Sequence, residues 1–451
     1  MEPLMRSRLF VVCASLWLCG CLMPIQGSAS ERAIIVYHHA YPSAGGDAVG
    51  AIRRSAPTEL AMDDAIVLAR ENSARIAELA ARVEAAKAAV DAKKRYQNPE
   101  LRIAQLKLDD VLAGNGEVRP SLRFRPNRPG EQNAEIAEAR AAVDSASAEL
   151  AGAERALASN VRFLFEDVLL MDAEIKAVDA VAEARRALAT QMKTRLDAAS
   201  TTALEASMAE LSAVDAEQDG AELAGRRALA LGKLLDTIGL DPTRPIKILG
   251  NAAIVWPPAK LPTEKTLVEE AIHRDMRIAL ASSRMDVENA RIAIERAKQI
   301  PWFSFIELGY GFGPKTTPGL GFTLQAGIDL PIFDTNRRGV RAKEAALMAE
   351  QRGLTAEVER VVNEVRLRLR EVESAEALVT NYEAKAVPIA ERSAIASKKA
   401  LESGGIDLIR ALTVDERRVV VELRLLQLKR RYRASLAELW RVVGGVLPSP
   451  G

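Results

Sequence analysis

The chain states one pattern twice, and this duplication restricts its possible folds more than any single motif does. Glu59-Leu60-Ala61-Met62-Asp63-Asp64-Ala65-Ile66 returns as Thr266-Leu267-Val268-Glu269-Glu270-Ala271-Ile272, and Arg75-Ile76-Ala77 returns as Arg277-Ile278-Ala279. After a difference of four residues the register holds, so Pro99 falls opposite Pro301. Each copy reads as helix, proline break, strand pair, very long helix, turn and returning helix. A proline-rich connector, Asp241-Pro242 through Pro257-Pro258 to Pro262, joins the copies, with Gly239 as a helix stop.

The long helices carry the clearest period. Ile136, Val143, Leu150, Leu157, Leu164, Met171 and Val178 recur every seven residues, accompanied by Ala139, Ala146 and Ala153 and then by Val161, Val168 and Ile175. A sustained seven-residue repeat with small partners predicts close, coiled-coil-like packing. The second copy does the same with Leu354, Val358, Val361, Val365, Leu369, Val372 and Val379. Each segment, about Ala134 to Ala198 and Asn336 to Ser403, would reach ~100 Å at the helical rise, beyond an ordinary globular domain. Pro388 is expected to kink the second helix or split it.

Strands are expected at the other end of these helices. From Gly319 to Pro331, Leu320, Phe322, Leu324, Ala326, Ile328 and Leu330 alternate with Gly321, Thr323, Gln325, Gly327 and Asp329. Such an unbroken alternation has the length a tilted membrane strand needs. Ile306, Leu308, Tyr310 and Phe312 form its hairpin neighbour, while the first copy's pair, Leu101 to Leu108 and about Val118 to Arg125, is far more charged.

Composition narrows the function. Lys plus Arg number 62 against 61 Asp plus Glu, which argues against a nucleic-acid partner. The three cysteines, Cys13, Cys19 and Cys21, all lie at the N-terminus, and His273 is the lone histidine in the body of the chain, so catalysis is poorly supplied. No enzyme activity, cofactor or metal site is expected. His38-His39 read as solvated linker residues. Arg6, Arg8 and the apolar run Leu9 to Leu18 form an export signal. Two exits compete: lipidation at Cys21 after Leu18-Cys19-Gly20, or cleavage near Gly27-Ser28-Ala29-Ser30. No later stretch has the ~18–20 apolar residues of a spanning helix, so any crossing after export must use strands.

The expected layout is a signal peptide over 1–20 (alternatively 1–30) and a linker, possibly lipid-anchored, over 21–57. The first repeat follows over 58–240, with strands at about 99–126 and a helical hairpin at about 134–240. A connector covers 241–265, and the second repeat covers 266–445, with strands at about 303–331 and a hairpin at about 336–443. Residues 446–451 are a tail. The fold class is mainly α with a small transmembrane β contribution. Four strands cannot close a barrel, whose smallest membrane form has about eight, so copies must associate. Three copies supply twelve strands, and a narrower barrel is filled by its own side chains.

These runs, with Asn98-Pro99-Glu100-Leu101, Gly327-Ile328-Asp329-Leu330-Pro331-Ile332-Phe333-Asp334 and Ala400 to Leu412, resemble the outer-membrane efflux protein family, the TolC-like outer-membrane factors. The resemblance covers about residues 58–445. It implies a homotrimer in outer-membrane lipid, a barrel continued by a helical tunnel, and contact with a periplasmic adaptor protein and an inner-membrane pump of the RND or ABC type. It implies a periplasmic gate, with Asp407, Arg410, Asp415 and Arg417 as candidates at the second tip and Arg195 and Asp197 at the first. Adaptor contacts would fall at Ala199, Ser200 and Thr201 and at Gly404, Gly405 and Ile406. Ala199 departs from the family's usual glycine, and the first strand pair departs in its charge. Two other readings remain: a periplasmic adaptor, which needs lipoyl-like and barrel domains around one hairpin, and a structural coiled-coil envelope protein.

Overall fold

A computed structural model describes residues 58–104, 119–250, 261–311, 321–403 and 405–445. The sequence duplication is visible as matched elements. In the first repeat α1 (Met62–Asn72) and α2 (Ala74–Lys93) precede β2 (Glu100–Ala104), β3 (Arg119–Phe124), α3 (Glu131–Asp197) and α4 (Ala203–Thr237). In the second, α5 (Glu264–Arg274) and α6 (Met276–Ala297) precede β5 (Trp302–Tyr310), β6 (Phe322–Asp329), α7 (Arg337–Glu402) and α8 (Leu408–Val443). The lengths agree closely: 67 and 66 residues for the long helices, 35 and 36 for the returning ones.

The opening helix of each repeat is in fact two helices. Ser73 and Asp275 take extended backbone, and their side chains accept from the amides of Ile76 and Arg277 as N-caps of α2 and α6. A short polar residue that satisfies an orphan amide favours a cap over a helix interior. Pro388, by contrast, does not split α7, which is one helix from Arg337 to Glu402. Its missing amide costs the Ala384 carbonyl its usual donor, but the helix is held over its length by packing, with Val361, Val365, Leu369, Val372 and Val379 all buried.

One cluster joins those α7 residues to Leu267 and Ala271 of α5 and to Tyr432, Leu436, Leu439 and Trp440 of α8. A buried leucine or valine contributes ~1.5–3 kcal/mol, so this seam dominates the second repeat. In the first hairpin the inward residues of α4 are small, Ala209, Ala213 and Ala216, allowing close approach to α3. Laterally α4 packs on α3, α3 on α8, and α8 on α7. Among the described residues no helix is long and apolar enough to cross a membrane.

Two sheets complete the fold. The smaller, absent from the sequence-based layout, pairs β1 (Glu59–Leu60) in parallel with β4 (Lys247–Ile248), tying the connector back to the start of the first repeat. The larger is antiparallel in the order β2-β3-β5-β6. Its central pair, β3 with β5, joins the two repeats, while β2 and β6 are its edges.

Candidate functional site

The larger sheet has two unlike faces because the registers place like residues side by side. Leu101 pairs with Leu122, Leu122 with Leu308, and Leu308 with Leu324, making one transverse row of leucines, all exposed. Phe124 sits opposite Ile306, and Tyr310 opposite Phe322, on the same face. The other face carries Ser121, Arg123, Glu307 and Gln325. There the Glu307 carboxylate accepts from the Ser121 hydroxyl at 2.6 Å, from Arg123 Nε at 2.8 Å and from Arg102 at 3.2 Å. Two strands, β2 and β3, therefore converge on one carboxylate of β5, which absorbs the charge that made the first strand pair look unlike a membrane element. Leu108 and Val118, the inner ends expected for this pair, lie outside the described residues.

A bulge between Phe303 and Phe305 changes the expected alternation of β5. Phe303 turns to the apolar face opposite Ile328, while Phe305 lies opposite Gly327 on the polar face, under the Arg123 guanidinium at 4.0 Å from the ring centroid. A side chain at Gly327 would strike the Phe305 ring and the Ser304 hydroxyl, so only glycine fits beside the bulge.

The hairpin tips lie at the far ends of the long helices. At the first, Ala199 adopts the left-handed conformation, φ 54°, that glycine usually occupies. The Ser200 amide donates to the Arg195 carbonyl at 2.8 Å, and its hydroxyl donates to the same oxygen at 3.0 Å. Thr202 then opens α4 with a capping box: its hydroxyl accepts from the Glu205 amide, and the Glu205 carboxylate accepts from the Thr202 amide. The Thr201 hydroxyl, with both groups of Thr202, holds the Glu205 carboxyl below the usual glutamate range. The turn geometry thus survives the missing glycine.

At the second tip the Gly405 amide donates to the Ala400 carbonyl at 2.7 Å, and Ile406 is half-buried. Gly404 lies outside the described residues, as does Cys21. Asp407 is the N-cap of α8 and accepts from the Arg410 amide at 2.9 Å. It also pairs with Arg195 at 3.4 Å, the one contact among the described residues that joins candidates from the two tips. The Arg410 amide first, and then the Arg195 charge, depress the Asp407 carboxyl below the ordinary aspartate value. Asp415 pairs instead with Arg418 at 3.0 Å along its own helix. Asp197, Arg410 and Arg417 are exposed.

Sequence reading did not find the polar links between α3 and α8. Glu166 and Arg433 form a buried pair, with Arg433 Nε donating to Glu166 at 2.8 Å. Arg430 binds Asp167 at 2.6 Å and approaches Glu174 at 3.6 Å, and Arg185 binds Glu416 at 2.8 Å. Burial raises the Glu174 carboxyl above the usual range, Arg430 opposing it. These partners are hundreds of residues apart in sequence, and no local spacing marks them.

This arrangement of two repeats, a four-strand sheet and paired long helices is the fold of bacterial outer-membrane channels. No protein-family model and no curated protein matches the chain by sequence. The likeness is to solved structures. The outer-membrane protein VceC of Vibrio cholerae is 17% identical at a TM-score of 0.65, over 86% of this chain and 97% of that one. CusC, whose structures bear on transmembrane channel formation, is 18% identical at 0.66, over 85% and 92%. The open outer-membrane channel MtrE of Neisseria gonorrhoeae is 17% identical at 0.64, over 86% and 90%. At such identities the likeness establishes the fold, and it is the fold the sequence resemblance implied.

Proposed function

We propose that this chain is the outer-membrane duct of a tripartite efflux or secretion system, working as a homotrimer and conducting cargo passively rather than transforming it. The observation that carries this reading is where the unsatisfied surface lies. Among the described residues, the large exposed apolar side chains of the four hairpin helices are on α4 (Leu204, Met208, Leu211, Val214, Leu229) and α7 (Met348, Leu367, Leu378, Ile389, Ile395). The central helices α3 and α8 contribute none of them. The sheet has the same form: two edges open, β2 and β6, and one face apolar. A wall finished in its middle and unfinished at both lateral edges is a segment of a ring. Lipid covers the leucine row, and the Glu307 face lines the passage.

Chemistry at the opposite end suits a gate. The Arg195–Asp407 pair bridges the two hairpins of one copy, is exposed, and is therefore weak enough for a docking partner to break. The residues around it, Ala199, Ser200, Thr201, Gly404, Gly405 and Ile406, form the surface where a periplasmic adaptor would meet the duct below an inner-membrane pump. Asp407 and Asp415 would each place one carboxylate per copy near the mouth, favouring cations.

The test is recovery of heat-modifiable, SDS-resistant trimers from outer-membrane fractions, followed by single-channel recording in planar bilayers. A monomer that stays in water without detergent would overturn the reading and return the chain to the coiled-coil envelope class. If Asp407→Asn and Asp415→Asn both leave conductance and cation preference unchanged, the carboxylate gate is wrong while the duct stands.

A further inference from the structure

The two repeats differ sharply where strand gives way to long helix. Gly130 and Asn336 are equivalent, each the left-handed residue that begins the long helix. After Gly130 come Glu131, Gln132 and, four positions beyond Glu131, Glu135; the corresponding residues after Asn336 are Arg337, Arg338 and Arg341. The acids suit the positive end of a helix dipole, and the arginines oppose it. All three arginines are exposed, and none has a partner among the described residues.

The preceding segments differ in the same way. In the first repeat the junction is polar and tied down: Arg128 donates to the carbonyls of Lys298 and Ile300 and pairs with Asp329, and Trp302 Nε1 donates to the Pro126 carbonyl. In the second, Leu330, Ile332 and Phe333 are exposed, Phe333 completely. The segment is ordered locally, the Ile332 amide donating to the Leu330 carbonyl at 2.8 Å. It continues directly from β6, whose apolar face holds Leu324 and Ile328.

We infer that this second-repeat junction is a docking surface for anionic phospholipid in the periplasmic leaflet of the outer membrane, with Ile332 and Phe333 entering the acyl boundary and Arg337, Arg338 and Arg341 holding headgroup phosphates. The inference rests on the proposed duct and adds a lipid class to it. An aromatic and aliphatic ledge next to unpaired cations is the amphipathic combination that binds an anionic interface. Continuity with the lipid-facing sheet puts the ledge at the membrane boundary. A sister copy is the competing occupant, because the first-repeat junction carries Glu131 and Glu135 beside Lys93 and Lys94, with Lys93 paired to Glu135 at 3.2 Å, and the trimer readout below separates the two.

The full-length protein is purified, exchanged into nanodiscs of phosphatidylethanolamine with or without phosphatidylglycerol, and weighed by native mass spectrometry after detergent release. Wild type should retain phosphatidylglycerol in preference to phosphatidylethanolamine. In the triple variant Arg337→Gln, Arg338→Gln, Arg341→Gln that retention should fall on the order of tenfold or more. Phe333→Ser should lower retention of both lipids. Equal retention of phosphatidylglycerol by wild type and triple variant overturns the inference. So does loss of the trimer in the triple variant, which would put the arginines against a sister copy. Displacement of the lipid by inorganic phosphate would make the site one for a free anion and also overturn it. Conductance in phosphatidylethanolamine bilayers is recorded in parallel: a wild type that never conducts fails as a duct, whatever its lipid retention.

Discussion

The two repeats have one plan and solve its local problems with different chemistry. The first hairpin packs on alanines and turns at its tip through a strained Ala199, repaired by Ser200, Thr202 and Glu205. The second packs on valine, leucine and buried aromatics of α8, and Asp407 caps the helix that follows its tip. Architecture is therefore set by the lengths and order of elements, which both copies keep. The side chains that secure each junction were free to diverge, and their divergence separates a tied-down polar junction from an exposed apolar and basic one.

The strongest test of this comparison cuts the link between the repeats. Glu166→Ala leaves Arg433 charged and buried on α8, and the expected loss is about 3–5 kcal/mol. Thermal melting of the protein measures it; a loss below about 1 kcal/mol would show that the hairpins hold together without the pair. Next, Leu324→Arg places a cation in the leucine row and should cost about 2–4 kcal/mol if that row lies near the middle of the bilayer. Refolding into lipid vesicles reads this, and an unaffected variant would remove the sheet from the membrane. A smaller gain is expected at the first tip. Ala199→Gly relieves a left-handed alanine and should stabilise that turn by about 1 kcal/mol, visible as slower local hydrogen exchange at Ser200.

The smallest effects are set by pH. Asp407 has its folded value depressed, so its contribution is present above the ordinary aspartate value and lost as pH falls through the folded one. Glu174 has its value raised by burial, so its charge costs stability as pH rises from the ordinary glutamate value through the folded one. Glu174→Gln should therefore stabilise the protein at neutral pH and lose that advantage in acid. A Glu174→Gln melt that tracks wild type at every pH would mean the carboxylate is solvated.

The repeat, the long helices and the alternation of β6 were legible because each is a short-range periodic signal, repeated many times over. Val361, Val365, Leu369, Val372 and Val379 were read as a seam and are buried as one. Ile136, Val143, Leu150, Leu157 and Leu164 are only half-buried, whereas Met171 and Val178 of the same series and Val161 and Val168 beside it are buried, together with Ala134, Ala141, Ala158 and Phe165. Ala-rich helices offer several faces of similar hydrophobicity, so period alone fixes the spacing and leaves the facing direction open. The breaks at Ser73 and Asp275 were missed for a related reason: a cap inside an otherwise helical pattern costs the period little.

What the sequence determined by itself is the plan: two copies, each a strand pair carried on a helical hairpin far too long for a globular domain, with one apolar strand face. What the tertiary structure decided is who meets whom. It set Arg195 against Asp407, Glu166 against Arg433, and Arg102 with Arg123 on Glu307, and it turned Phe303 outward through a bulge. Periodicity follows from the geometry of a single helix or strand, which neighbours in sequence already fix. Charge pairing and strand register depend on distances between segments, and those exist only after the chain has closed on itself.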